Sequence, residues 1–298
     1  MTLSAYAISP SGAVQDPARV HRAVAHLAAA GVAVRLDRTA LARSQRFAGT
    51  DAQRAAAFGR AAAQRAPVVM ITRGGYGLTR YLGALDYRRL ADSGKQWVGV
   101  SDFTAFQLAM LACAGAVTWA GPALVDFGTE RAEDVDEVTL GAFTEAMSGE
   151  LELLGFRYSG PQDVEARGTL WGGNLTVLCA LLGTPWFPSV RRGILFVEDV
   201  HEHPYRIERM LTQLLHAGVI DAQSAVLLGQ FSRYRLADHD RGFDLPAVLK
   251  FLRARTRTPI LAGLPFGHEL PCLTLPHGAR VSLATEGRTC WLRLPHAH

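Results

Sequence analysis

Short apolar runs alternate along the chain with longer stretches in which apolar residues recur every three or four positions. "LSAYAIS" is a β-prone run that stops at Pro10-Ser11-Gly12, and the segment from Pro17 to Ala30 then carries Val20, Val24 and Leu27 at helical spacing before Gly31. "VAVRL" predicts a second strand, "DAQRAAAFGRAAAQR" a second helix, "PVVMITR" a third strand and "QWVGV" a fourth. The fourth runs straight into Ser101-Asp102 and a further helix. Strands separated by helices predict a mostly parallel α/β sheet.

Between Val125 and Glu165 the pattern loosens and turns acidic, through "DFGTERAEDVDEVTLGAFTEAMSG" and an extended piece "LELLGFRYSG". Beyond it, "GTLWGGNLTVLCALLGTPW" feeds a Gly-rich turn into an apolar helix from about Leu175 to Leu182. "GILFVEDV" reads as a buried strand, "HPYRIERMLTQLLHAG" as a helix stopped by Gly218, and "SAVLLGQF" as another strand. The end is β-rich, with "PILAGLPFGH", "CLTLPHGARVSLAT" and "TCWLRL" separated by Gly and Pro. This pattern predicts an α/β chain divided into an N-terminal parallel-sheet domain over 1–125, a bridge over 126–165 and a β-rich domain over 166–298.

Composition narrows the function. A chain of 298 residues that is 49% hydrophobic and 19% charged buries a large core, in one large or two modest domains. The net charge of +4 comes from scattered arginines, with lysine only at Lys95 and Lys250, and a nucleic-acid groove would want clustered cations with interleaved aromatics. Cys113, Cys179, Cys272 and Cys290 stand singly without zinc-site spacing, so they read as reduced core residues of a cytoplasmic protein. No basic and apolar leader pattern opens the chain, and no apolar run approaches the roughly 18 residues of a spanning helix. Nucleic-acid and membrane partners are not expected.

Three segments carry candidate chemistry, each at the C-terminal end of a predicted strand, where open α/β sheets place their sites. Ser101 at a strand-to-helix turn exposes its hydroxyl, and the next amide, that of Asp102, points with the helix N-terminus at developing negative charge. The alternative is that Ser101 or Asp102 caps the helix. The G-x-S-x-G elbow of α/β-hydrolases lacks its second glycine here. Arg73-Gly74-Gly75-Tyr76-Gly77 follows the strand "PVVMI", and its glycines let backbone amides approach a ligand, although the turn lacks the register of a nucleotide-binding loop. Glu198 and His268 end two later strands, and a carboxylate that orients a histidine which deprotonates a serine is the logic of a catalytic triad. His201-Glu202-His203 precedes Pro204 and has no third ligand at helical spacing, so no metal is expected.

"AGTDAQRAAAF", "ITRGGYGLTRYL", "VGVSDFTAFQLAM", "LWGGNLTVLCALLGTP", "ILFVEDVHEHPYRIERMLTQL" and "GLPFGHELPCLTLPHGARVSL" together resemble the LD-carboxypeptidase family, the muramoyltetrapeptide carboxypeptidases. The resemblance runs in order through both halves. It implies a Rossmann-like N-terminal domain, a β-rich C-terminal domain and a site at their junction. It also implies a cofactor-free, cytoplasmic serine peptidase, often a homodimer, that removes terminal D-alanine from murein tetrapeptides in cell-wall recycling. The implied nucleophile is Ser101, with Glu198 and His268 completing the triad and the amides of Gly75 and Asp102 as oxyanion donors. Arg73 is a candidate for the substrate carboxylate, Gly74 and Tyr76 in the same turn are further candidates for binding substrate, and Asn174 either binds peptide amides or caps the helix that begins there. His201 and Glu208 depart from the family pattern close to Glu198. The family also includes immunity peptidases that cut the peptide-nucleotide bond of microcin C. For that alternative Trp171 and Trp186 are candidate stacking platforms, while core packing is the ordinary role of each. A non-catalytic muropeptide-binding protein on this fold would lack a triad member, and all three are present.

Overall fold

The computed structural model describes residues 3–294. The first half lays down β1 (Leu3–Ile8), α1 (Pro17–Ala29), β2 (Val32–Leu36), α2 (Asp51–Ala62), β3 (Val68–Ile71), α3 (Tyr87–Asp92), β4 (Gln96–Gly99), α4 (Thr104–Ala114) and β5 (Thr118–Ala120). The second half adds α5 (Glu137–Ser148), β6 (Leu153–Arg157), β7 (Glu165–Asn174), α6 (Leu175–Leu181), β8 (Ile194–Val200), α7 (Pro204–His216) and β9 (Ala225–Ser232). It ends with α8 (Leu245–Arg253), β10 (Ile260–Ala262), β11 (Leu275–His277), β12 (Arg280–Glu286) and β13 (Thr289–Arg293). None of the described helices is long and apolar enough to cross a membrane.

Local chemistry accounts for the element ends. Thr50 opens α2 with a capping box, its hydroxyl accepting from Gln53 N while Gln53 Oε1 accepts from Thr50 N. Asp16 caps α1, whose second signal is Pro17 at the first helical position. Helix α4 is apolar on every side and most of it is buried, because it lies between the two halves of the chain. Its Phe106 packs with Phe58, Trp97 and Phe103 at ring separations of 4.8, 5.4 and 4.9 Å.

Two sheets result. The first has the order β11-β5-β4-β3-β1-β2 and is parallel except for β11. The chain leaves β1 toward β2 and returns to β3 on the other side, so a crevice opens at the carboxyl ends of β1 and β3. The second sheet has the order β10-β9-β8-β7-β12-β13-β6, with β7 to β10 parallel and the rest antiparallel. Segment 126–165 is itself folded: it holds α5 and β6, and β6 pairs with β13 as the outer strand of the second sheet.

The halves interlock. Strand β11 comes from the second half yet pairs antiparallel with β5 of the first sheet. Thr104 Oγ1, in the first turn of α4, accepts from Asn174 N at 2.9 Å.

The seam also buries His277 of β11, both of whose ring nitrogens lack a partner among the described residues, edge-on to Phe196. Burial pushes its pKa down from 6.5 to about 3. Between those values the unfolded chain takes up a proton that the folded chain refuses, so stability falls as pH drops through that window. The contribution at stake is about 1.4 kcal/mol for each pKa unit. His277→Leu is therefore expected to flatten the loss of stability between pH 7 and pH 4 in denaturant titrations. An unchanged difference between the two pH values would remove His277 as its source.

Candidate active site

β4 ends at Gly99, and the chain passes through Val100 into a single 3-10 turn, Ser101–Phe103, that leads into α4. Ser101 sits at φ 67°, a left-handed conformation that costs a residue with a Cβ about 1–2 kcal/mol. Neither Ser101 nor Asp102 caps the turn or the helix, so the capping alternative is set aside. Ser101 lines a cavity of about 780 Å³. Asp102, 2% exposed, turns its carboxylate inward to accept from Ser11 Oγ at 2.6 Å and Leu78 N at 2.9 Å. Burial pushes this carboxyl up against the pull of those donors. The side chain thereby ties the loop after β1, the glycine turn after β3 and the serine turn after β4 together.

The glycine turn lies directly against Ser101. A Cβ on Gly74 would fall 2.6 Å from Ser101 Cβ and 2.8 Å from Oγ, so only glycine fits there. Gly74 O accepts from Gly12 N at 3.2 Å, which closes the β1 loop onto the turn. The amides of Gly75 and Asp102 donate to no other described residue. Tyr76 is 45% exposed, and Arg73 Nη1 donates to Ala13 O at 3.0 Å.

On the other wall, His268 Nδ1 lies 2.7 Å from Glu198 Oε2. Glu198 is fully buried, and its Oε1 accepts from Asn174 Nδ2 at 3.1 Å. Burial disfavours the imidazolium of His268, but the hydrogen bond and charge of Glu198 outweigh it and hold the pKa above 6.5. Burial pushes the Glu198 carboxyl up as well, with His268 and Asn174 opposing it.

Asp199 follows Glu198 in β8, and strict alternation would turn it to the opposite face, toward Arg206 or Arg209. It does not go there. A register shift between Val197 and Asp199 breaks the β8–β9 ladder, and a bulge of this kind re-aims side chains. Both carboxylates reach Asn174, whose Nδ2 also donates to Asp199 Oδ1 at 3.0 Å. Asp199 accepts further from Thr176 N, Thr176 Oγ1 and Val200 N. Arg206 pairs with Glu202, and Arg209 lies over the Tyr205 ring.

The expected residues thus fall into two groups. Arg73, Gly74, Gly75, Tyr76, Ser101 and His268 line the one cavity. Asn174 does not: 5% exposed, it accepts from Val177 N as the cap of α6 and holds Glu198 and Asp199. Trp171 is a core residue, its Nε1 bonded to Gln223 Oε1 at 3.0 Å, and Trp186 packs beside Gly83, so neither reaches the cavity. His201 lines the cavity at φ 64°, with Nδ1 3.2 Å from Arg233 O, while Glu208 on α7 does not line it. Sequence reasoning missed Arg46, Arg19, Arg233 and Asp126, which are charged members of the same lining. Each sits in a loop or helix without a motif of its own, so nothing local in the sequence marks them.

Two family models match the chain, the LD-carboxypeptidase N-terminal domain over residues 6–121 and the LD-carboxypeptidase C-terminal domain over 167–283. The crystal structure of muramoyltetrapeptide carboxypeptidase from Oxalobacter formigenes is 42% identical, with a TM-score of 0.89 over 98% of both chains. A putative carboxypeptidase of Streptomyces coelicolor is 37% identical over 84% of this chain and 79% of its own length. The microcin C7 self-immunity protein of Escherichia coli is 27% identical over 74% of this chain and 72% of its own. With both domain models matched in order, and a serine turn, a glycine turn and a carboxylate-bound histidine gathered at one cavity, the chain belongs to the LD-carboxypeptidase family.

Proposed function

We propose that the protein is a serine carboxypeptidase that hydrolyses the L,D-peptide bond releasing terminal D-alanine from murein tetrapeptides. The observation that carries this reading is the 2.7 Å contact of His268 Nδ1 with the buried Glu198 carboxylate, in a histidine that shares its cavity with Ser101. A carboxylate accepting from Nδ1 fixes the tautomer that leaves the Nε2 lone pair free. The role in cell-wall recycling and the cytoplasmic location follow from the family resemblance, and four unpaired cysteines suit a reducing compartment.

In this scheme Ser101 Oγ attacks the scissile carbonyl as its proton passes to His268 Nε2. The carbonyl π pair moves onto oxygen, where the amides of Gly75 and Asp102 hold it. Collapse breaks the C–N bond, and His268 returns the proton to the departing amine of D-alanine. Water then loses a proton to His268 and attacks the Ser101 ester, and breakage of the ester bond with return of that proton restores the hydroxyl. Glu198 stabilises the imidazolium at both stages.

Mass spectrometry of products tests the assignment. A murein tetrapeptide is expected to yield tripeptide and free D-alanine, with no added metal. Cleavage of an aminoacyl-nucleotide antibiotic alone would move the protein to the immunity peptidases, although neither Trp171 nor Trp186 offers its cavity a stacking face. Binding of the tetrapeptide without any product would make it a binding protein.

A further inference from the structure

Three arginines of the lining, Arg19, Arg46 and Arg73, have no ion-pair partner among the described residues. Arg73 bonds only the Ala13 carbonyl, and Arg46 lies over the Tyr76 ring with its guanidinium 5.9 Å from the centroid. Other cations of the lining are engaged: Arg233 pairs with Glu269, and Arg19 Nε donates to Val125 O at 2.7 Å. Arg46 comes from the loop before α2 and Arg73 from the turn after β3, and both line the same cavity. Burial first, and then the charge of Arg46, hold the Arg73 guanidinium below its ordinary range. Of the two carboxylates in the lining, Glu269 pairs with Arg233 and Asp126 accepts from Ala123 N, and neither pairs with Arg46 or Arg73, so these two guanidiniums are best satisfied by an anion brought in with the substrate.

Position identifies which anion. Arg73 folds back over the oxyanion turn: its guanidinium carbon would lie 3.6 Å from a Cβ on Gly12, and its Nη2 3.8 Å from a Cβ on Gly75. In a peptide losing its last residue, the terminal carboxylate carbon is three bonds from the scissile carbonyl carbon, about 3–4 Å away. A carbonyl whose oxygen sits at Gly75 therefore carries its terminal carboxylate into reach of the same turn. We infer that Arg46 and Arg73 form a two-guanidinium subsite for the substrate's free C-terminal carboxylate, and that Arg46 sets the preference for a free over a blocked C-terminus. This rests on the carboxypeptidase reading. Tyr76 supplies the face that positions Arg46.

Binding separates the subsite from the chemistry. Calorimetry on Ser101→Ala, with a murein tetrapeptide and with its C-terminal amide, reads the preference without turnover. The acid is expected to bind about 10- to 100-fold more tightly than the amide, as for a charge-assisted hydrogen bond. Adding Arg46→Gln is expected to remove most of that ratio, and Arg46→Lys to keep part of it. In the enzyme with Ser101 intact, Arg46→Gln is expected to raise KM for the acid while kcat stays within a few-fold. Arg46 is exposed, so melting temperatures of these variants are expected to match their parents. An acid-to-amide ratio unchanged by Arg46→Gln would overturn the subsite. So would a loss that disappears with a tetrapeptide whose third residue has no side-chain carboxylate, because Arg46 would then be reading that group. If the ratio depends on Arg46 but no variant or parent releases D-alanine, the subsite stands and the carboxypeptidase reading fails.

Discussion

Ser101→Ala is expected to lower D-alanine release from a murein tetrapeptide by about 10⁴-fold or more, while the protein keeps its fold. The alanine keeps the Cβ that packs on Gly74 and removes only the hydroxyl. Because Ser101 Oγ caps no helix, nothing structural leaves with it. A companion variant sharpens the point. Ser101→Gly relieves the left-handed φ of 67°, and should raise stability by about 1 kcal/mol while losing the same activity. A strained serine that is more useful than a relaxed glycine is the signature of a position kept for chemistry. Turnover and melting temperature measured on both variants decide it: near-parental rates in Ser101→Ala would return this turn to a structural role.

Apart from the short α3, the strand-helix alternation up to α4 was legible because each element is local, with its cap, period and stop inside one window. Ser101, Glu198 and His268 stood out as polar residues closing apolar runs. What could not be read is non-local. Strand β11 joins the first sheet although it follows ten other strands, and no pattern inside "TLPHG" states which sheet it will enter. In the 126–165 segment the extended piece was legible and is β6, with alternate residues buried, but its partner β13 lies far down the chain and nothing local announces that pairing. At the site, Asp102 reads in sequence as an oxyanion amide or a helix cap, since a carboxylate bound for burial looks the same there as a cap. Asn174 was legible as a cap, but its hold on two carboxylates depends on a bulge in the next strand of the chain, β8. The tryptophans misled for a simpler reason: large aromatics serve cores and ligand platforms alike, and only neighbours distinguish them.

Glu198 and Asp199 are expected to separate cleanly on substitution although they are adjacent and share Asn174 Nδ2. In Glu198→Gln, that donor holds the new amide oxygen on the Asn174 side, which leaves the amide NH₂ facing His268 Nδ1. The imidazole must then accept at Nδ1 and carry its proton on Nε2, the tautomer that cannot deprotonate Ser101. A loss of about 10³- to 10⁴-fold in kcat follows. The acid limb moves too. His268 acts as a base only when neutral, and Glu198 holds its pKa above 6.5, so parental kcat/KM should rise with pH through a value above 6.5. With the hydrogen bond and charge of Glu198 removed, burial is opposed only by the charges of Asp199 and Asp126, so the pKa falls and the limb of the residual activity shifts to lower pH. Asp199→Asn meets a different environment: its two oxygens accept from Asn174, Val200 and Thr176, and an amide nitrogen turned toward any of these donors loses its bond. The cost is about 1–3 kcal/mol of stability, with kcat within about tenfold of the parent, since Glu198 still meets His268. Melting temperature, kcat and the pH profile of kcat/KM on both variants test this, and rate lost at Asp199 but kept at Glu198 would overturn the assignment of Ser101, Glu198 and His268 as one catalytic unit.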